Sequence, residues 1–210
     1  MTDHPVELVR REDDAFVEAI LRDEMQPSDL IEVEKSWHPA RVQLIQKLMS
    51  QAIPTNQWPQ SLPWDWARKA PQLQLLHAFG FGIICEAYWE GVILIRTATD
   101  FARLPEDNGK PIVYVDYLES APWNWRVEAI GQNGQYKGVG SVLFRQAVRQ
   151  SIVEGFKGRV GLHSLPQSEG YYEKVCGMTA LGPDPNKQNL LYFEFTAENA
   201  HNYLELGGAQ

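Results

Sequence analysis

Between Gly134 and Ser151 the chain reads GQYKGVGSVLFRQAVRQS, three glycines and a lysine that run directly into an amphipathic stretch. Small residues let backbone N–H groups approach an anion closely, and a helix start adds unpaired N–H groups and the positive end of its dipole. The chemistry on offer is the holding of a phosphate, with an idle turn before a helix as the bland alternative. No GxxxxGK[ST] string occurs anywhere in the chain, and Gly138 and Gly140 lack the third glycine of a dinucleotide fingerprint. What remains is Q-x-x-G-x-G over Gln135, Tyr136, Lys137, Gly138, Val139 and Gly140, followed by Ser141. Alone, that string does not decide between cradle and turn.

Other residues suit proton transfer. Glu119 and Asp116 stand in DYLES, and His163 in GLHSLP. A general base needs reach and a suitable pKa, and Glu119 is the first candidate, with Asp116 and His163 behind it. Each has a structural reading too: a solvated strand end, a buried hydrogen-bonding residue, a satisfied sheet histidine. Asn124 lies between Trp123 and Trp125, where it would orient a substrate or a water, or simply close a turn after Pro122. Trp58, Trp64, Trp66, Trp123 and Trp125 would line an acceptor pocket or fill a core. Two cysteines imply no disulfide framework, and the five histidines lack ligand spacing, so no metal is expected.

These groups must be placed by regular elements. The first 75 residues read as a helical extension packed on the same domain: Phe16, Val17, Ile20 and Leu21 fit one helical stripe. A second helix is expected to start at Pro39 and bury Val42, Ile45, Leu48, Met49 and Ile53. Prolines and tryptophans between 54 and 71 predict a loop pinned by aromatic packing. From residue 76 the texture becomes strand-like, with strands near 78–88 and 91–98 around a WEG turn and a third strand in KPIVYVDYLES. A helix over 139–154, with Val142, Leu143, Ala147, Val148 and Ile152 inward, leads to the strand GRVGLHSLP. Then come a short helix SEGYYEKVCGM, a last strand NLLYFEFT and a short terminal helix. The order predicts an α+β fold, a mixed sheet with one crossover helix.

With strand, Q-x-x-G-x-G loop, amphipathic helix and YYEKVCGM in this order, residues 76 to 196 resemble the GNAT superfamily of acyl-CoA-dependent N-acyltransferases. There, Q/R-x-x-G-x-G/A opens the long helix and an FYEK.GF-like stretch follows the next strand. The resemblance implies a mostly antiparallel sheet with splayed central strands, and acetyl-CoA or another acyl-CoA as co-substrate. Its pyrophosphate would lie on the N–H groups of Lys137 to Ser141, and Leu118 to Ser120 would offer backbone groups to the pantetheine. Tyr172 matches the family's general acid at the departing thiolate, while Glu119 stays the candidate base, and Asn124 and His163 candidate substrate residues, from their own places in the chain. In one respect the chain departs from the pattern: APWNWRVEAIGQNG inserts more than a dozen residues before the glycine loop.

The implied reaction moves an acyl group to a primary amine by direct attack; a non-catalytic acyl-CoA sensor or structural module is the alternative. A net charge of −8 argues against nonspecific nucleic-acid binding and leaves an amine-bearing acceptor as the expected partner. Pairing into a homodimer is left open. The polar, acidic start is unlike a signal peptide and no apolar run approaches membrane-spanning length, so the cytoplasm is the expected location and no membrane partner is expected.

Overall fold

The apolar residues of FVEAILR fit an alternating strand as well as a helical stripe, and a second strand beside them decides the outcome. In the computed structural model, which describes residues 3–205, β1 (Asp3–Arg10) pairs antiparallel with β2 (Phe16–Arg22). Ala19 and Leu21 are buried while Phe16, Glu18 and Ile20 are exposed, a period of two. The helical expectation for this stretch is therefore corrected to a hairpin.

Helix α1 (Pro27–Ser50) starts earlier than expected. Pro27 takes the first turn, and the Asp29 carboxylate accepts the Gln26 N–H at 2.7 Å. Pro39 lies inside the helix, not at its start. An interior proline costs about 3 kcal/mol, and the stripe Leu30, Val33, Trp37, Leu44 and Leu48, buried on both sides of it, offsets that cost. The proline- and tryptophan-rich stretch holds only the short α2 (Trp66–Lys69) and 3₁₀ turns.

Strands β3 (Ala78–Cys85) and β4 (Tyr88–Arg96) turn at Glu86 and Ala87, with φ of +48° and +69°. The expected WEG turn is instead the start of β4, because Trp89 and Glu90 are buried. Chain order then runs β5 (Val113–Ser120), β6 (Tyr136–Lys137), α3 (Val139–Val153), β7 (Val160–Ser164), β8 (Thr179–Asp184), β9 (Leu190–Glu194) and α4 (Ala197–Glu205). The strands form one mixed, mostly antiparallel sheet in the order β6-β1-β2-β3-β4-β5-β7-β9-β8. Sequence patterning misses β6, only two residues long, and β8, where Gly182 and Pro183 interrupt the pattern. A register shift between Ala180 and Pro183 absorbs that interruption.

Two compact units divide the chain. The first runs to Leu76 and adds Gly80–Val92 and Glu119–Gly140; the second takes His77–Phe79, Ile93–Leu118 and the chain from Ser141. In the first, Leu44, Leu48, Val127 and Ile130 form a core with Ile53, Trp58, Leu62 and Trp125 packed on it. In the second, Phe144 of α3 meets Tyr172, Phe195 and Tyr203 at ring distances of 5.6–5.7 Å. Leu143, Ala147 and Val148 are buried as expected, but Ile152 is half exposed on the last turn of the helix.

Candidate functional site

The second unit holds an interrupted strand pair. β5 and β7 run parallel and pair only over Val113–Val115 and Val160–Leu162. Pairing stops there, although β5 continues to Ser120 and β7 to Ser164. The backbone groups of Asp116, Tyr117 and Leu118 on that side therefore have no β7 ladder partner, and such groups can bond an extended amide-bearing ligand.

His163 stands at the first position of β7 beyond the paired stretch. Its Nδ1 meets the Tyr114 hydroxyl at 2.7 Å and its Nε2 meets an Asp184 oxygen at 3.1 Å. Arg103 holds the same Asp184 oxygen at 3.0 Å. Burial pushes the imidazole pKa down against the pull of Asp184. Both ring nitrogens are thus engaged within the sheet. Asp116 is gripped by Arg96 at 2.7 Å, yet burial outweighs that pairing and raises its pKa.

YYEKVCGM folds into a π-helical turn over Tyr171–Cys176. The two tyrosine rings meet edge-on, 5.3 Å apart, but their hydroxyls have different surroundings. The Tyr171 hydroxyl lies 3.2 Å from Ser141 Oγ. Tyr172 is buried, its ring 5.7 Å from that of Phe144 and 6.0 Å from that of Phe193. No hydrogen bond joins its hydroxyl to any described residue. Burial raises both phenols above their ordinary pKa, so both stay protonated at neutral pH.

In the first unit, Glu119 at the end of β5 is 3% exposed. One carboxylate oxygen accepts from Arg41 at 3.0 Å and from the Trp66 indole at 2.5 Å. Arg41 also bonds both oxygens of Glu34, at 3.0 and 2.8 Å. A single guanidinium thus serves two carboxylates, and burial pushes the Glu119 pKa up to about 7. Sequence reasoning misses Arg41, although a signal for it exists: it is a charge on the apolar stripe of α1, where a partner must be buried with it.

The insertion before the glycine loop is also tied down within this unit. Asn124 Nδ2 donates to a Glu90 carboxylate oxygen at 2.6 Å, and Trp123 Nε1 donates to the same oxygen at 2.8 Å. Asn124 Oδ1 accepts the Tyr136 N–H at 2.9 Å. Gln132 bonds the carbonyls of Pro122 and Trp125, and the Trp125 indole bonds that of Ser120. Instead of lying in an open loop, Tyr136 and Lys137 pair with Arg10 and Val9 of β1, and the Arg11 N–H reaches the Gln135 carbonyl. The Lys137 ammonium is paired with Asp14. Gly138 then takes a φ of +93°, a conformation that a side chain would strain, and Val139 and Gly140 open α3. Among the described residues, no three histidine, cysteine or acidic side chains converge on a metal-sized site. No helix of the described residues is long and apolar enough to cross a membrane.

No protein-family model and no curated protein matches the sequence. Solved structures match its shape. FeeM, an N-acyl amino acid synthase from uncultured soil microbes, is 12% identical with a TM-score of 0.51, over 88% of this chain and 93% of its own. A GNAT-family acetyltransferase from Desulfovibrio desulfuricans is 11% identical with a TM-score of 0.52, over 85% and 99%. A bacterial toxin matches at 11% identity and 0.50, over 69% and 80%. The interrupted β5–β7 pair, the crossover helix and these likenesses agree: the chain has the GNAT fold.

Proposed function

We propose that the protein is an acyl-CoA-dependent N-acyltransferase that acylates a primary amine by direct attack. The observation that carries this reading is the three-residue β5–β7 pairing followed by two strands that continue without each other. Leu118, and beyond it Ser120, would bond the pantetheine amides, and the N–H groups from Lys137 to Ser141 would take the pyrophosphate.

Direct attack needs a neutral amine, a polarised thioester carbonyl and a proton for the departing thiolate. Glu119 is the proposed base: with its pKa near 7, it is ionised at mildly alkaline pH and still basic enough to draw a proton. Tyr172 is the proposed acid, because its ring is fixed by Phe144 and Phe193 while its hydroxyl has no partner among the described residues. His163, bonded at both nitrogens, is assigned to shaping the substrate side of the gap. Acetyl is the proposed acyl group.

A second reading, an acyl-CoA-binding module without turnover, is favoured by the enclosure of Glu119 between Arg41 and Trp66. Release of free thiol from acetyl-CoA against a panel of amines, α-amino acids included, separates the two. Thiol release that depends on one acceptor class supports the enzyme. Tight coenzyme A binding without turnover supports the module, and no coenzyme A binding contradicts both.

A further inference from the structure

Glu90 is the one buried carboxylate of β4, 2% exposed within the run YWEGVILIR. Among the described residues no cation lies within ion-pairing distance of it, whereas Glu119 has Arg41. Burying an ionisable group without a counter-charge is costly, and burial raises the Glu90 pKa accordingly. What it has instead is two neutral donors on one oxygen, from Trp123 and Asn124. Its backbone carbonyl accepts from Ala121 N–H at 2.8 Å and more weakly from Asn124 Nδ2 at 3.3 Å.

The orientation of Asn124 follows from its partners. A carboxylate and a carbonyl offer only acceptors, and the Tyr136 N–H only donates, so the amide nitrogen must face Glu90 and its oxygen must face Tyr136. The result is a continuous connection from β4 through the Asn124 side chain to the backbone of residue 136. On the other flank, Gly134, with φ of +79°, passes so close to Asn124 that a Cβ there would come within 2.5 Å of the Asn124 carbonyl oxygen. Two residues beyond Tyr136 comes Gly138, where the backbone turns into α3.

We infer that Glu90 and Asn124 form a strut that holds the glycine loop in the shape required for phosphate, which makes both of them positioning residues for the co-substrate. Asn124 accordingly spends its amide on the loop and not on the acceptor. The inference rests on the reading of Lys137 to Ser141 as the pyrophosphate cradle. It also accounts for the long insertion, since a loop that reaches α3 through an extra dozen residues needs a fixed point, and β4 supplies it.

Coenzyme A compared with pantetheine, which lacks the phosphates, tests the strut, together with amide hydrogen exchange, which needs no ligand. Asn124→Ala should weaken coenzyme A binding about tenfold, the scale of leaving one buried N–H without its acceptor, and leave pantetheine binding unchanged. In the same variant the Tyr136 amide should lose exchange protection while the β3–β4 hairpin keeps its own. Glu90→Gln retains an acceptor oxygen for both donors and should stay within about twofold of wild type. Equal losses for both ligands, or an undiminished affinity for coenzyme A, would overturn the strut's role, and unchanged Tyr136 protection would overturn the strut itself. Wild-type protein that fails to bind coenzyme A would overturn the phosphate reading and the strut's purpose together, whereas exchange still reports whether the strut is there.

Discussion

Glu90 and Glu119 are two glutamates on strands of the same sheet, both nearly inaccessible, and their surroundings differ in one respect. Glu119 shares a guanidinium with Glu34 and takes an indole N–H, so its neighbourhood is ionic. Glu90 has only an indole and a side-chain amide. Burial alone therefore does not tell the proposed base from a carboxylate proposed to be structural. In both, burial raises the pKa. Only Glu119 stands at the strand end where β5 has left its partner, and only Glu90 leads by hydrogen bonds into a backbone segment that needs fixing.

Removing the two charges should have unequal effects. The largest is expected from Glu119→Gln, which keeps the shape and the acceptor but cannot take a proton. Its kcat/KM should fall by roughly 10²–10⁴-fold, while Glu90→Gln stays close to wild type. Next in size is Arg41→Met. It leaves two carboxylates around one vanished cation, and urea unfolding should show a loss of about 3–5 kcal/mol. Tyr172→Phe keeps the ring between Phe144 and Phe193, so melting should hardly move while kcat falls about 10²-fold.

A smaller effect is the pH dependence of stability. The folded state holds the Glu119 proton well above the ordinary carboxylate range, up to about 7, so it binds more protons than the unfolded chain between the two values. Stability from this group is thus fullest below the unfolded pKa and declines as pH rises through about 7. Denaturant midpoints taken across that window should fall, and Glu119→Gln should flatten the fall. Smallest is Trp123→Phe, which removes one of the two donors to Glu90 and should cost about 1 kcal/mol.

Much of this is legible in the residues, and what is not has physical reasons. The glycine loop, the crossover helix and the strand that follows point to the fold because their apolar periods are clean and their turn chemistry is specific. Phe16–Arg22 misleads because Phe16, Val17, Ile20 and Leu21 fit a helical stripe while Val17, Ala19 and Leu21 alternate, and only the β1 partner chooses between them. Pro39 misleads because proline at a helix start is the commoner placement, while the buried stripe on both sides decides otherwise. Glu119 can be singled out by its place at a strand end. Its partners Arg41 and Trp66 lie 78 and 53 residues away, a separation no local pattern reveals. SEGYYEKVCGM reads as a short helix, but the π turn that brings Tyr171 to Ser141 and leaves Tyr172 in the core depends on packing.

The most direct test of the contrast between the two glutamates is thiol release from acetyl-CoA by wild type, Glu119→Gln and Glu90→Gln, each with the best acceptor of the panel and followed from pH 6 to 9. For wild type and Glu90→Gln alike, kcat/KM is expected to rise with pH to a plateau, with a midpoint near 7. For Glu119→Gln the expected rate is low and lacks that midpoint. Equal rates and the same midpoint in all three proteins would contradict a catalytic Glu119, because it would then be a buried ion-pair partner and the proton would leave by another route.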